Sequence, residues 1–194
     1  MTLAITAVDW YAARAGGVVA YLLLSAVVIV GLTLAGKERL PGWPRFALED
    51  VHRFGGLLVG AFVSAHVLFL LIDSQAHLSL GRVIVPFSSS YRPLWTGLGT
   101  VAVELLLALA VANHYRNRIS HRLWRRLHYL NFVVWLAATA HGLGAGTDRG
   151  SVWLLWMYFI AIGAVAGFTV RRVVRTIAVG GRPRARPVET IQRP

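Results

Sequence analysis

Between Ala15 and Ala35 the chain carries no charged residue, and four more apolar stretches follow. Crossing a hydrocarbon core about 30 Å thick takes about 20 apolar residues in helical form. Within that core every backbone N–H and C=O must be satisfied internally, which helices do within one segment. The chain therefore reads as an all-α membrane protein, a bundle of five transmembrane helices. These are Ala15 to Ala35, about Val51 to Ile72, about Leu94 to Ala112, about His128 to Leu143, and Ser151 to Val170. The first run is longer than a signal-peptide core and lacks a clear cleavage site, so it reads as a helix that stays.

Composition excludes other classes. Charged residues make up 14% of the chain and hydrophobic ones 56%, whereas a soluble domain is about a quarter charged. A net charge of +12 raises nucleic acid as a partner, but that function needs a basic patch on a soluble fold. Here the arginines lie between apolar runs, and no nucleic acid is expected. With no cysteine, disulfides, iron–sulfur clusters and thiolate metal sites are excluded.

Orientation follows from the basic residues. Lys37, Arg39, Arg45 and Arg53, the cluster Arg116 to Arg126, and the residues after Val170 place 16 of the 20 on one side. Arg14, Arg82, Arg92 and Arg149 fall on the other. The N-terminus is expected outside and the C-terminus in the cytoplasm. Glu49 and Asp50 suit the N-terminus of the second helix. The segment 176–194 is rich in proline, glycine and arginine, and reads as a basic, disordered tail on anionic headgroups.

Four histidines stand out against this apolar background. His52 and His66 are 14 residues apart on the second helix, and His128 and His141 are 13 apart on the fourth. At 1.5 Å per residue the separations are roughly 21 Å and roughly 19.5 Å. Ionisable side chains at such depth are expensive and are functional candidates. Both helices run from inside to outside, so His52 matches His128 at the cytoplasmic boundary and His66 matches His141 towards the outer face. Paired imidazoles at two levels suggest two haems, each held by two axial nitrogens, with the second ring nitrogen donating to a carbonyl on the preceding turn. Fourteen residues return His66 to within about 40° of His52, but thirteen leave His141 about 140° from His128. A π-bulge or a distortion of the glycine-rich end is expected to correct this.

Other polar residues carry double readings. Arg53, Arg125 and Arg126 either face inner haem propionates or set topology; Arg92 and Arg149 stand likewise outside. Glu104 is a proton-handling or haem-tuning group, or a protonated carboxyl bonded to a neighbouring helix. Phe132 and Trp135 lie between the two levels as packing aromatics or electron bridges, and Trp95, Trp153 and Trp156 read as interface anchors. His77, His114 and His121 read as solvated loop residues. The outer loop, residues 73 to 93, is long enough to fold over the outer pair, where an acceptor would approach.

The motifs His52-Arg53 with His66, LHYLNF…AHG with His128 and His141, ARAGGVVAYLLL, YRPLWTGLG and WRRLH resemble the ferric reductase-like transmembrane domain. That superfamily includes ferric reductases, NADPH oxidases and the haem subunit of a periplasmic methionine sulfoxide reductase system. The resemblance covers roughly residues 12 to 170, making residues 1–175 a haem-binding transmembrane domain. It implies two b-type haems, inner between His52 and His128 and outer between His66 and His141, with Arg14 beside the outer propionates. It further implies a dihaem cytochrome of the bacterial inner membrane that passes electrons from a cytoplasmic donor to an outer acceptor. The chain shows no G-x-G-x-x-G unit for a nicotinamide. It reads as an oxidoreductase component without its own flavin or NAD(P)H domain. The reductant is then a cytoplasmic reductase, a flavin held by a partner or diffusing freely, or quinol. The alternative function is a non-catalytic haem-bearing anchor of a larger, quinol-linked redox complex.

Overall fold

The computed structural model describes residues 2–36, 41–73, 79–148 and 150–180. Lys37, Arg39, His77, Arg149 and the tail from 181 onward lie outside the described residues. Those described form helices and no strand: α1 (Thr2–Ala35), α2 (Arg45–Ile72), α3 (Leu80–Ile84), α4 (Pro93–His114), α5 (His121–Tyr129), α6 (Asn131–Ala145) and α7 (Val152–Gly180). Four of these, Val8–Ala35 within α1, α2, α4 and Val152–Ala178 within α7, are long and apolar enough to cross a membrane. The chain is a multi-pass membrane protein, and its exposed apolar surface is the part that meets lipid.

Local chemistry sets the boundaries. α2 starts six residues earlier than the hydropathy suggests, because Pro44 caps it in an extended conformation and Arg45 pairs with Glu49 one turn on at 2.9 Å. Glu49 and Asp50 thus lie past the first turn. α4 begins on Pro93 behind Arg92, whose backbone is left-handed (φ 41°, ψ 66°). Proline suits that first position because the N–H it lacks would have no helical partner. α7 continues to Gly180, beyond Thr176 where the tail was expected to begin.

The expected fourth span is divided. α5 ends at Tyr129 and α6 starts at Asn131. At the joint Leu130 N–H turns back to Leu127 O (2.8 Å), while the Asn131 side-chain amide takes the His128 carbonyl (2.8 Å). A short amide side chain that competes for the backbone in this way disfavours straight helical continuation. α6 keeps 15 residues, about 22 Å of rise. α5 is N-capped by the Ser120 hydroxyl on Leu123 N–H. It is tied to α7 by Arg172, which donates to Tyr129 Oη (3.2 Å). The Arg172 and Arg125 guanidinium groups hold that phenol below its ordinary pKa.

α1 is the centre of the bundle, packed along α2, α6 and α7, while α4 packs on α6. Tyr21, Leu24, Val28 and Leu32 of α1 meet Val134, Trp135 and Ala137 of α6 and Leu154, Tyr158, Ala161 and Val165 of α7. Lipid offers little hydrophobic drive for helix association, so close packing and interhelical hydrogen bonds carry it. Trp135 Nε1 donates to Ser25 Oγ (2.9 Å), and Thr139 Oγ1 donates to Tyr21 Oη (3.2 Å). Trp135 is therefore a bolt between α1 and α6. α2 packs chiefly on α1, which leaves its other faces, with Phe54 and Leu57, open.

Candidate metal-binding site: two histidine pairs

The four histidines meet two by two. The rings of His52 and His128 have centroids 6.0 Å apart, and those of His66 and His141 are 6.3 Å apart. Two imidazole nitrogens at about 2 Å on opposite sides of one metal put the ring centres roughly 6.3 Å apart. Among the described residues no three metal-ligating side chains gather. Two facing imidazoles fit a group that brings its own in-plane donors, as a porphyrin does, better than a bare cation.

Three of the rings are anchored through Nδ1. His52 Nδ1 donates to Val27 O (3.1 Å), His66 Nδ1 to Ala13 O (2.6 Å), and His141 Nδ1 to Trp95 O (2.9 Å). A ring that donates through Nδ1 keeps the Nε2 lone pair for a metal. The acceptors belong to a neighbouring helix in every case, not to the preceding turn of the histidine's own helix. Each acceptor is followed four residues later by a glycine against the same ring. A Cβ on Gly31 would stand 3.1 Å from His52 Cε1, on Gly17 3.0 Å from His66 Nδ1, and on Gly99 2.5 Å from His141 Nδ1. In a helix the carbonyl of residue i points along the axis towards residue i+4. With no side chain at i+4, the imidazole can reach that carbonyl.

These niches are spaced like their occupants. Ala13 and Val27, and Gly17 and Gly31, are each 14 residues apart, as are His52 and His66. α1 is thus a backing plate running opposite to α2. This equal spacing could have been found in the sequence, although only the packing shows which histidine each glycine serves. The 13-residue step on the other side needs no π-bulge, and the glycine-rich end does not supply the correction. The break at Leu130 puts His128 and His141 on separate helices, so the phase of one straight helix does not apply.

Other expected residues are placed differently. Arg14 follows Ala13, at the level of the outer pair, and forms an ion pair with Asp148 while lying over the rings of Trp10 and Trp153. Arg92 donates to the α6 carbonyl of Gly144 (2.7 Å), closing the end of the helix that carries His141. Tyr91 Oη reaches Ala145 O (3.2 Å), so the described part of the outer loop is fastened beside that histidine. Trp95, read from the sequence as an interface anchor, offers its backbone carbonyl to His141 and packs part of its ring against Gly144 while remaining partly exposed. Arg53 faces Asp50 at 3.9 Å. Glu104 is exposed on the side of α4 opposite Trp95, with no bond to a neighbouring helix among the described residues. Phe132 lines a groove with Leu32, Tyr129 and Arg172. His121 lies over the ring of Trp124.

No curated protein and no solved structure matches the chain. A family model described as "Ferric reductase like transmembrane component" matches residues 16–139, a span that contains α1 from its first niche glycines, both α2 histidines and His128. The match covers well over half of the sequence, and the chain belongs to the ferric reductase-like transmembrane component family.

Proposed function

We propose that the chain is a transmembrane electron-transfer protein holding two b-type haems. His52 and His128 are the ligands of the inner one, and His66 and His141 those of the outer one. The observation that carries this reading is the pairing of four imidazoles, two by two, at the separation set by a shared metal. Held there by His52 with His128 and by His66 with His141, each haem would supply one-electron redox chemistry.

The chain's own contribution is position and medium. The Ala13, Val27 and Trp95 carbonyls fix three imidazoles with Nε2 forward. The apolar faces of α1, α2 and α6 flank the space between the pairs, and Arg14, ion-paired with Asp148, lies at the outer level. α6 makes the fifth crossing, with α5 at the cytoplasmic surface, where Arg122, Arg125 and Arg126 form a basic approach for the donor. The basic clusters favour a C-terminus on that same side of a bacterial inner membrane, and in this reading electrons would enter at the inner pair and leave at the outer pair, as the family resemblance implies. The donor is a cytoplasmic reductase, a flavin or a quinol. The acceptor meets the outer loop.

The test is the reduced-minus-oxidised absorption spectrum of the purified full chain, with its haem-to-chain ratio. Sharp bis-histidine α-bands and a ratio near two support the reading. A colourless protein expressed with ample haem supply sinks it.

A further inference from the structure

We propose that Trp124 is the positioning residue for the fourth histidine, its indole doing for His128 what a carbonyl niche does for the other three. The inference rests on the two-haem reading. Three imidazoles are held from outside their own helix, each by a carbonyl and a glycine four residues beyond it. His128 has neither. No hydrogen bond reaches its ring among the described residues, and no described glycine lies against it.

The reason is architectural. His52, His66 and His141 sit on long or packed helices with another helix backbone alongside. His128 sits on α5, a nine-residue helix beside the break at Leu130, with few neighbours. Besides the His52 ring across the pair, a ring from its own helix lies against it, one turn back. The Trp124 and His128 rings are stacked at 24° with centroids 5.2 Å apart. Residues four apart share one helix face, so the stack is available without any partner helix. Trp124 is itself covered by the His121 ring, at 25° and 5.7 Å. The column of three rings restrains rotation of His128 about its χ2 and holds its plane. It leaves Nδ1 free, so the inner centre has one ligand of a different hydrogen-bonding state from the outer centre's two.

The experiment replaces Trp124 by Ala, Leu and Phe in the full chain and reads haem-to-chain ratio, low-spin EPR signals and a two-component redox titration. Wild type must first show two low-spin haems; if it does not, the two-haem reading fails and the failure is separate from this one. In Trp124→Ala and Trp124→Leu, one component is expected to turn high-spin or be lost, taking the ratio from two towards one. The other component, belonging to His66 and His141, keeps its signal and midpoint as an internal control. Trp124→Phe, which retains a flat ring, is expected to restore the low-spin signal. The proposal is overturned if Trp124→Leu keeps both components unchanged. It is equally overturned if all three variants lose both haems together, since Trp124 then serves the fold alone.

Discussion

Replacing Gly99 by alanine tests the niche argument where it is tightest. The added Cβ would stand 2.5 Å from His141 Nδ1 and 2.7 Å from its Cε1, against 3.4–4 Å for ordinary contact. The ring must withdraw by about 1 Å, which stretches its 2.9 Å bond to Trp95 O past the limit of a hydrogen bond. Loss of that bond costs about 0.5–1.5 kcal/mol, and overpacking a filled site adds about 1–3 kcal/mol. Outer haem should then bind more weakly by about 2–4 kcal/mol, a factor of roughly 30 to 1,000. Competition with a haem-scavenging apoprotein, followed by the outer component of a redox titration, measures this directly. Gly163→Ala is the control, since nothing lies within 4 Å of a Cβ there. If Gly99→Ala releases outer haem no faster than Gly163→Ala, glycine is not what admits His141 to its carbonyl.

Three further outcomes are expected. Gly31→Ala and Gly17→Ala, with Cβ contacts of 3.1 and 3.0 Å, should weaken the inner and outer haems respectively by about 1 kcal/mol; swapped effects in the titration would refute the antiparallel assignment. His66→Ala and His141→Ala should each remove the outer component and spare the inner one, and any variant that strips both refutes independent pairs. Trp135→Phe should destabilise the bundle by about 0.6–1.7 kcal/mol, and a double-mutant cycle with Ser25→Ala, read by unfolding in mixed micelles, should show the two changes to be non-additive. Full additivity would mean that the Trp135–Ser25 bond contributes nothing.

The membrane class and the pairing of the histidines were legible along the chain, because both depend on quantities counted residue by residue. Uncharged length decides what can cross lipid, and rise per residue decides depth, so His52 with His128 and His66 with His141 followed from spacing and orientation alone. Tertiary structure decided what holds those rings. A carbonyl niche exists only where two backbones come close, and no local count says that Val27 faces His52 or that Trp95 faces His141. The break at Leu130 was hidden for a related reason: LHYLNFVVWL is apolar enough for one helix, and only the Asn131 side chain turning back onto His128 O divides it. Arg14 and Glu104 show the same limit. Their charge and depth were plain from the sequence, but whether Asp148 would reach the first, and whether any helix would cover the second, was set by packing between distant segments.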